Sequence, residues 1–367
     1  MDRSFLLRSV AGIAMILLTA PSVRAAEPES MFDYTAAQSL EGGTPFFQAS
    51  SGSGATPQAP DGCCPPNGCW PPNGCCGGVR CCTGCGFYGG AEVAVLRPYF
   101  NNDVAVSRFT VASAAETTTD FTSSYTASPR IWLGYVNCCG FGGRLRYWEY
   151  DQGGSPREGA QTDLNTYYFA PGIPIGSLET TTPGDLLSTS ERLHMYTLDA
   201  EITQCLQICC WDFNFGGGLR DASVHIDRTN AFTGAGTTVF SEVATIGNHF
   251  DGVGPTMFAE FRRPFGCGGL AFVGDLRGSL LYGTKSLRAT DVTSTQTQAY
   301  DQTANGCLGV AELSLGIEWS REISCNTTVF VNGLWENQIW TNMGNSTSIT
   351  GDNLGLGGFT LGVGLYH

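Results

Sequence analysis

Tyr196-Thr-Leu-Asp-Ala-Glu-Ile-Thr203 and Trp211-Asp-Phe-Asn-Phe-Gly-Gly-Gly-Leu-Arg220 are the two stretches that decide the fold. In the first, Tyr196, Leu198, Ala200 and Ile202 share one face, and Thr197, Asp199, Glu201 and Thr203 the other. In the second, Trp211, Phe213, Phe215 and Leu219 oppose Asp212, Asn214 and Arg220. A strict period of two is the signature of a strand with one apolar and one polar face. The link between them, about Gln204–Cys210, is short, so the two strands form an antiparallel hairpin.

Eight more segments repeat this pattern, giving ten: Phe87–Arg97, Arg130–Val136, Phe141–Tyr150, Leu193–Thr203, Trp211–Val224, Val253–Arg262, Leu270–Tyr282, Leu308–Ser320, Thr328–Trp340 and Leu354–Tyr366. Most are near the roughly 9–11 residues of a tilted membrane strand. The links alternate without exception. Those at 137–140, 204–210, 263–269 and 321–327 are short, and those at 98–129, 151–192, 225–252, 283–307 and 341–353 are long. A soluble sandwich has no reason to sort its loops this way. An outer-membrane barrel does, with short periplasmic turns and long external loops. The expected fold is therefore all-β: an antiparallel up-and-down transmembrane barrel of about ten strands over 87–367, with both barrel termini periplasmic. Eight or twelve strands stay open, since 103–112 and 161–169 are stretches where a long link holds a further hairpin.

Composition agrees. Only 14 % of the 367 residues are charged, 49 are glycine, and Lys285 is the only lysine. The net charge of −14 disfavours nucleic acid, whose binding requires neutralised phosphates. A content of 42 % hydrophobic residues excludes disorder throughout. No apolar run reaches the roughly 18–20 residues of a membrane helix.

Residues 1–25 read as an export signal: Arg3 and Arg8, then an apolar middle over 10–20, then Val23-Arg-Ala25 with small residues flanking a cleavage point. Residues 26–62, rich in Ser, Gly, Pro and Ala, read as a flexible linker. Residues 63–86 form a disordered Cys/Pro/Gly-rich extension in which Pro-Pro-Asn-Gly-Cys occurs twice. Export makes the 16 cysteines disulfide candidates. Cys63, Cys64, Cys69, Cys75, Cys76, Cys81, Cys82 and Cys85 precede the first strand. Cys138, Cys139, Cys205, Cys209, Cys210, Cys267 and Cys325 lie in or beside short turns, so the expectation is a disulfide collar on the periplasmic rim. Cys307 alone falls at a long link. A metal knot built on Cys82-Thr-Gly-Cys85 is the weaker alternative, because the segment has no histidine. No cofactor or metal is expected.

The stretch Phe250-Asp-Gly-Val-Gly-Pro-Thr-Met-Phe-Ala-Glu-Phe-Arg-Arg-Pro-Phe265 and its continuation Gly269-Leu-Ala-Phe-Val-Gly-Asp-Leu-Arg-Gly-Ser-Leu-Leu-Tyr-Gly283 resemble the Legionella-type major outer-membrane protein family. So do the start, Phe87-Tyr-Gly-Gly-Ala-Glu-Val-Ala-Val-Leu96, and the end of the chain. The resemblance implies an exported outer-membrane barrel that forms a pore and has no catalytic residues. Two features depart from it. The cysteine-rich extension looks like planctomycete exported proteins, and the chain ends Leu365-Tyr-His367 rather than on an aromatic.

Function should therefore lie on the inner face. The alternation places there the pore-lining candidates Arg144, Arg146, Asp199, Glu201, Arg220, Glu260, Arg262, Asp275, Arg277, Glu312 and Glu318, together with Glu92, Asp212 and Glu336. Five bases against nine acids predict a weak cation preference. An eight-stranded barrel is filled by its own side chains and a sixteen-stranded one leaves a channel. Ten strands leave two readings: a narrow passive pore, or a structural envelope barrel cross-linked to its neighbours by rim disulfides. Lipid is the expected partner, with disulfide-linked neighbours or a homo-oligomer in the second reading. Aromatics near strand ends (Phe87, Tyr88, Trp132, Trp148, Trp211, Trp319, Trp335, Trp340, Tyr366) read as interface girdles. No histidine pair has a metal-ligand spacing along the chain, and His225 and His249, near the outer mouth beside Asp227 and Asp251, read as solvated loop residues.

Overall fold

A computed structural model describes residues 85–101, 104–170, 178–208, 210–235, 241–265, 268–293, 295–324, 327–344 and 351–367. The expected signal, the linker, Cys63–Cys82, Cys209, Cys267 and Cys325 lie outside the described residues. The strands, in chain order, are β1 (Gly86–Phe100), β2 (Val104–Thr110), β3 (Ala115–Asp120), β4 (Thr126–Val136), β5 (Phe141–Gly153), β6 (Arg157–Ala160), β7 (Thr166–Ala170), β8 (Leu178–Glu179), β9 (Leu186–Ile208), β10 (Trp211–Thr233), β11 (Ser241–Pro264), β12 (Leu270–Val292), β13 (Thr297–Ser324), β14 (Thr327–Thr341) and β15 (Leu354–Tyr366).

Ten of these close a ring. β1, β4, β5 and β9 to β15 pair antiparallel in that order, and β15 returns to β1 from Tyr88↔Tyr366 to Phe100↔Leu354. Closure pairs the backbone groups of every strand on both sides, which a lipid environment demands. The phase is the expected one. Leu133, Met257 and Leu361 face outward and are 63–70 % exposed, alongside Leu145, Ile202, Leu219, Leu276 and Ile317. Apolar side chains this exposed on a whole wall are stable only against lipid. Phe87, Tyr135, Phe141, Trp211 and Trp319 edge this belt at the short-turn end. The girdle reading needs correction for the rest. Tyr88, Trp132, Trp148, Trp340 and Tyr366 occupy the opposite phase and turn into the barrel, because strand parity and not nearness to a strand end decides the face.

The turn between β4 and β5 is built by Asn137, whose Oδ1 accepts the backbone N–H groups of Cys139 (2.9 Å) and Phe141 (3.1 Å). Gly140 closes it at φ +79°, a left-handed conformation that a side chain would strain. This geometry presents Cys138 to Cys85, and the two form a disulfide.

The strands on one side of the ring are longer than the alternation predicts. β9 to β13 run for 23 to 28 residues. The β10–β11 register is unbroken from Asp212↔Arg262 to Thr233↔Ser241. Most of 225–252 and 283–307, expected as loops, is therefore hairpin. Above the lipid belt the outer face meets water, so the apolar–polar contrast fades while the backbone pairing continues. At the β11 tip, burial and the neighbouring Asp291 carboxyl push Glu242 up to about 7. The folded state thus holds this proton more tightly than the unfolded chain, so the stability it confers is present at low pH and lost as pH rises through 7. Glu242→Gln should flatten the pH 5–8 dependence of amide-exchange protection at this tip, and an unchanged pH profile would reject the assignment.

The other strands fill the two links that flank β4 and β5. β3, β2, β7 and β8 make a separate four-stranded sheet, and β6 pairs with the upper part of β9. The stretches 103–112 and 161–169 do hold strand, but outside the ring, which stays at ten. Ala105, Val106, Phe121 and Leu178 pack against Leu187, Phe232 and Ala244 of the ring wall. Arg228 donates to the Ala105 carbonyl (2.8 Å) and stacks over Phe121. The small sheet is thus seated on the inner wall at the long-link end.

Candidate functional site: the barrel lumen

Every charged residue assigned to the inner face from the sequence lies there, and Arg130 of β4 joins them. Arg130 was missed although it sits in the phase opposite Ile131, Leu133 and Tyr135, which was the signal available. Direct cross-strand partners already alternate in sign: Arg144↔Glu201, Arg146↔Asp199 and Asp199↔Arg220. Such pairs stabilise a sheet locally.

Other contacts cross the lumen. Arg220 grips Asp199 through two hydrogen bonds (2.6 and 2.9 Å) and reaches Glu312 on β13 at 2.5 Å. Arg130 of β4 meets Glu336 of β14 at 2.6 Å and Glu92 at 3.1 Å. Arg144 joins Glu201 to Glu260 of β11 at 2.5 Å, and Arg277 of β12 hydrogen-bonds Glu201 of β9. Arg146 of β5 lies 3.7 Å from Glu312, which is five strands away, halfway round the ring. Glu312 pairs in register with Arg277 but accepts its hydrogen bond from Arg220. Phe258 is held between two guanidiniums, Arg144 and Arg277, each within about 5 Å of its ring. The six arginines face nine carboxylates, so this layer carries three surplus negative charges when all are ionised. Toward the short-turn end a cavity of about 180 Å³ opens beside Arg144, Asp212, Asn214, Glu260, Arg262 and Asp275.

Above the charged layer lies an apolar one that the alternation did not reveal. Trp340, Tyr150, Met195, Val224, Phe250, Leu281, Leu308 and Leu354 are fully buried in one cluster with Leu96, Ile226 and Met343. Nine of the ten ring strands contribute to it. These residues pack as a disc across the lumen. Their polar atoms stay paired: Trp340 donates to Gln338 (3.1 Å) and Tyr150 to Gln152 (2.8 Å).

Outside the wall, beyond the lipid belt, the ladder aligns His194, His225 and His249 in one row across β9, β10 and β11. They are not loop residues; they stand on paired strands with their rings facing outward. His194 lies 3.4 Å from Glu149. The imidazoles of His225 and His249, 3.9 and 3.4 Å away, hold Asp251 and Asp227, respectively, below the usual carboxylate range.

The expected disulfide collar divides. Cys85 and Cys138 are bonded to each other, and Cys210 is also in a disulfide. Cys139, in the same turn as Cys138, is instead an exposed free thiol. Cys205 departs as well. β9 continues past it to Ile208, so it lies on a strand and not in a turn, and its thiol donates inward to Asn214 at 3.7 Å.

No curated protein shows significant sequence similarity to the chain. Among solved structures, the outer membrane protease OmpT from Escherichia coli is 12 % identical, over 77 % of this chain and 96 % of that one, with a TM-score of 0.42. The CymD monoaromatic hydrocarbon channel is 9 % identical over 77 % and 88 %, with a TM-score of 0.22. The P. putida toluene transporter TodX is 7 % identical over 76 % and 89 %, with a TM-score of 0.20. The decisive match is to a family model, that of the Legionella pneumophila major outer membrane protein precursor, over residues 81–366. With its closed ring and lipid-facing belt, the chain belongs to this family and is a β-barrel protein of the bacterial outer membrane.

Proposed function

We propose that the protein is a narrow channel for ions or small solutes, weakly cation-preferring, whose lumen is closed at rest by the apolar disc. The observation that carries this reading is the charged inner layer, which leads from a polar cavity at the short-turn end up to an apolar barrier. A low-dielectric passage lined with surplus carboxylates concentrates cations.

The test is the reversal potential of single openings of the refolded mature protein in a salt gradient across a planar bilayer. Cation preference should appear at about 0.1 M salt and fade at 1 M, where the Debye length falls from about 10 Å to about 3 Å. Glu312→Gln with Glu318→Gln removes two of the nine acids and leaves Arg220 and Arg262 short of a partner each. The reversal potential should then move toward the anion side. An unchanged value at low salt would refute a conducting path past these residues.

A second reading, a structural envelope barrel, is favoured by the continuity of the disc. In it the exposed Cys139 links neighbouring chains. Non-reducing electrophoresis should then show a reductant-sensitive ladder that Cys139→Ser abolishes.

A further inference from the structure

We propose that His225 and His249 form a two-imidazole chelate for a divalent transition cation on the outer wall above the lipid belt, with copper(II) bound most tightly. The two residues are direct cross-strand partners on β10 and β11, their ring centroids are 4.3 Å apart, and Nδ1 of one lies 2.9 Å from Nδ1 of the other.

The polar groups around the pair point to the tautomer of each ring. Ser223 donates its hydroxyl hydrogen to Asp251 at 2.6 Å, so at the 2.8 Å contact with His225 its oxygen accepts from Nε2–H. Nε2 of His249 faces the Asp227 carboxylate at 3.4 Å, an acceptor only, so this nitrogen also carries a hydrogen. In the neutral tautomers both Nδ1 atoms then bear lone pairs on the side where the two rings meet. Two lone pairs 2.9 Å apart are satisfied by a cation that both nitrogens share.

A metal ion fills this role in the arrangement that metal-bound histidines adopt, with one ring nitrogen on the ion and the other donated to a carboxylate or its relay. The spacing selects the metal. Ligand nitrogens at about 2.0 Å from an ion and about 90° apart stand about 2.8 Å from one another, the cis geometry of tetragonal copper(II) or nickel(II), whereas a tetrahedral zinc site needs about 3.3 Å. Copper(II) also leads the general affinity order for such ligands. Among the described residues no three His, Cys, Asp or Glu side chains converge on one metal-sized point. The chelate therefore has two protein ligands, with the remaining positions left to water. Both rings are about one-third exposed, so an ion reaches them from outside the cell.

The experiment uses the mature protein in detergent micelles, purified without a histidine tag, with free thiols alkylated under non-reducing conditions. Titration with copper(II) followed by calorimetry and electron paramagnetic resonance should show one site per chain with splitting from imidazole nitrogen. Zinc(II) should bind at least tenfold more weakly. His225→Ala and His249→Gln should each lower copper affinity at least tenfold, while His194→Ala should change it less than threefold. Both altered positions lie on the outer wall, and a heat-modifiable band on electrophoresis checks that each variant folds. Equal copper affinity in the folded His225→Ala/His249→Gln double variant, or a bound copper without nitrogen splitting, would overturn the site and leave a proton as the only cation shared by the pair.

Discussion

Trp340→Ala should turn a quiet barrel into one that conducts. The indole is fully buried in the disc, in one cluster with Met343 of the link that follows β14, and it donates to Gln338 on its own strand. Its loss opens a gap larger than a water molecule, directly above the ion-paired layer. Conductance in a planar bilayer should rise at least tenfold over the parent, whereas Trp340→Phe should stay near the parent. Truncating a buried Trp costs about 3–5 kcal/mol, so the variant must first be shown to refold by its heat-modifiable band. A refolded Trp340→Ala that stays silent at all voltages would mean that the seal does not depend on the disc alone, and would favour the structural reading.

Arg220→Met should give the largest loss of stability of any single charge removal. Its guanidinium is 1 % exposed and is the shared partner of Asp199 and Glu312. Removing it leaves two buried carboxylates short of a counter-charge, a change that costs about 3–5 kcal/mol. Arg146 and Arg277 each lie 3.8 Å from Asp199 and can move in, which sets the expectation at the lower end. The double change Arg220→Met/Glu312→Gln should recover most of the loss, since Asp199 then keeps Arg146 and Arg277 as counter-charges and Arg146 keeps Asp199. Urea unfolding in micelles measures both. If the single variant loses less than about 1 kcal/mol, the ion network is redundant and Arg220 is not its hub.

The ring was legible because lipid and lumen impose opposite chemistry on alternate residues. Ile202 and Glu201 had to face different ways, and one short turn after another could be placed. The upper halves of β10 and β11 were not legible, because Ser223, His225 and Asp227 on one face and Arg228 and Asn230 on the other offer no contrast. The small sheet was half visible. Its two central strands, β2 and β7, fall in the two stretches singled out while β3 and β8 do not, and the pairing of β2 with β7 joins residues some 60 apart, from Ser107↔Phe169 to Thr110↔Thr166, which periodicity cannot report. The inner charges were found by parity. The disc was not, because Trp148 and Trp340 look alike in sequence whether they face lipid or lumen. The histidine row needed the register: His225 and His249 stand 24 residues apart in the chain, and only the hairpin pairing makes them opposite neighbours.

The unequal strand lengths give the molecule a one-sided parapet. From Tyr282, at the edge of the belt, β12 climbs ten more residues to Val292, about 30 Å along the strand at 3.3 Å per residue. On the opposite flank β14 stops at Thr341, and β15 begins at Leu354, close to the belt. At the long-link end the paired strands of the β9–β13 flank therefore reach further from the belt than β14 and β15 do. A peptide grafted at the β12–β13 tip would stand clear of the lipid headgroups, whereas one grafted beside β14 would be shaded by them.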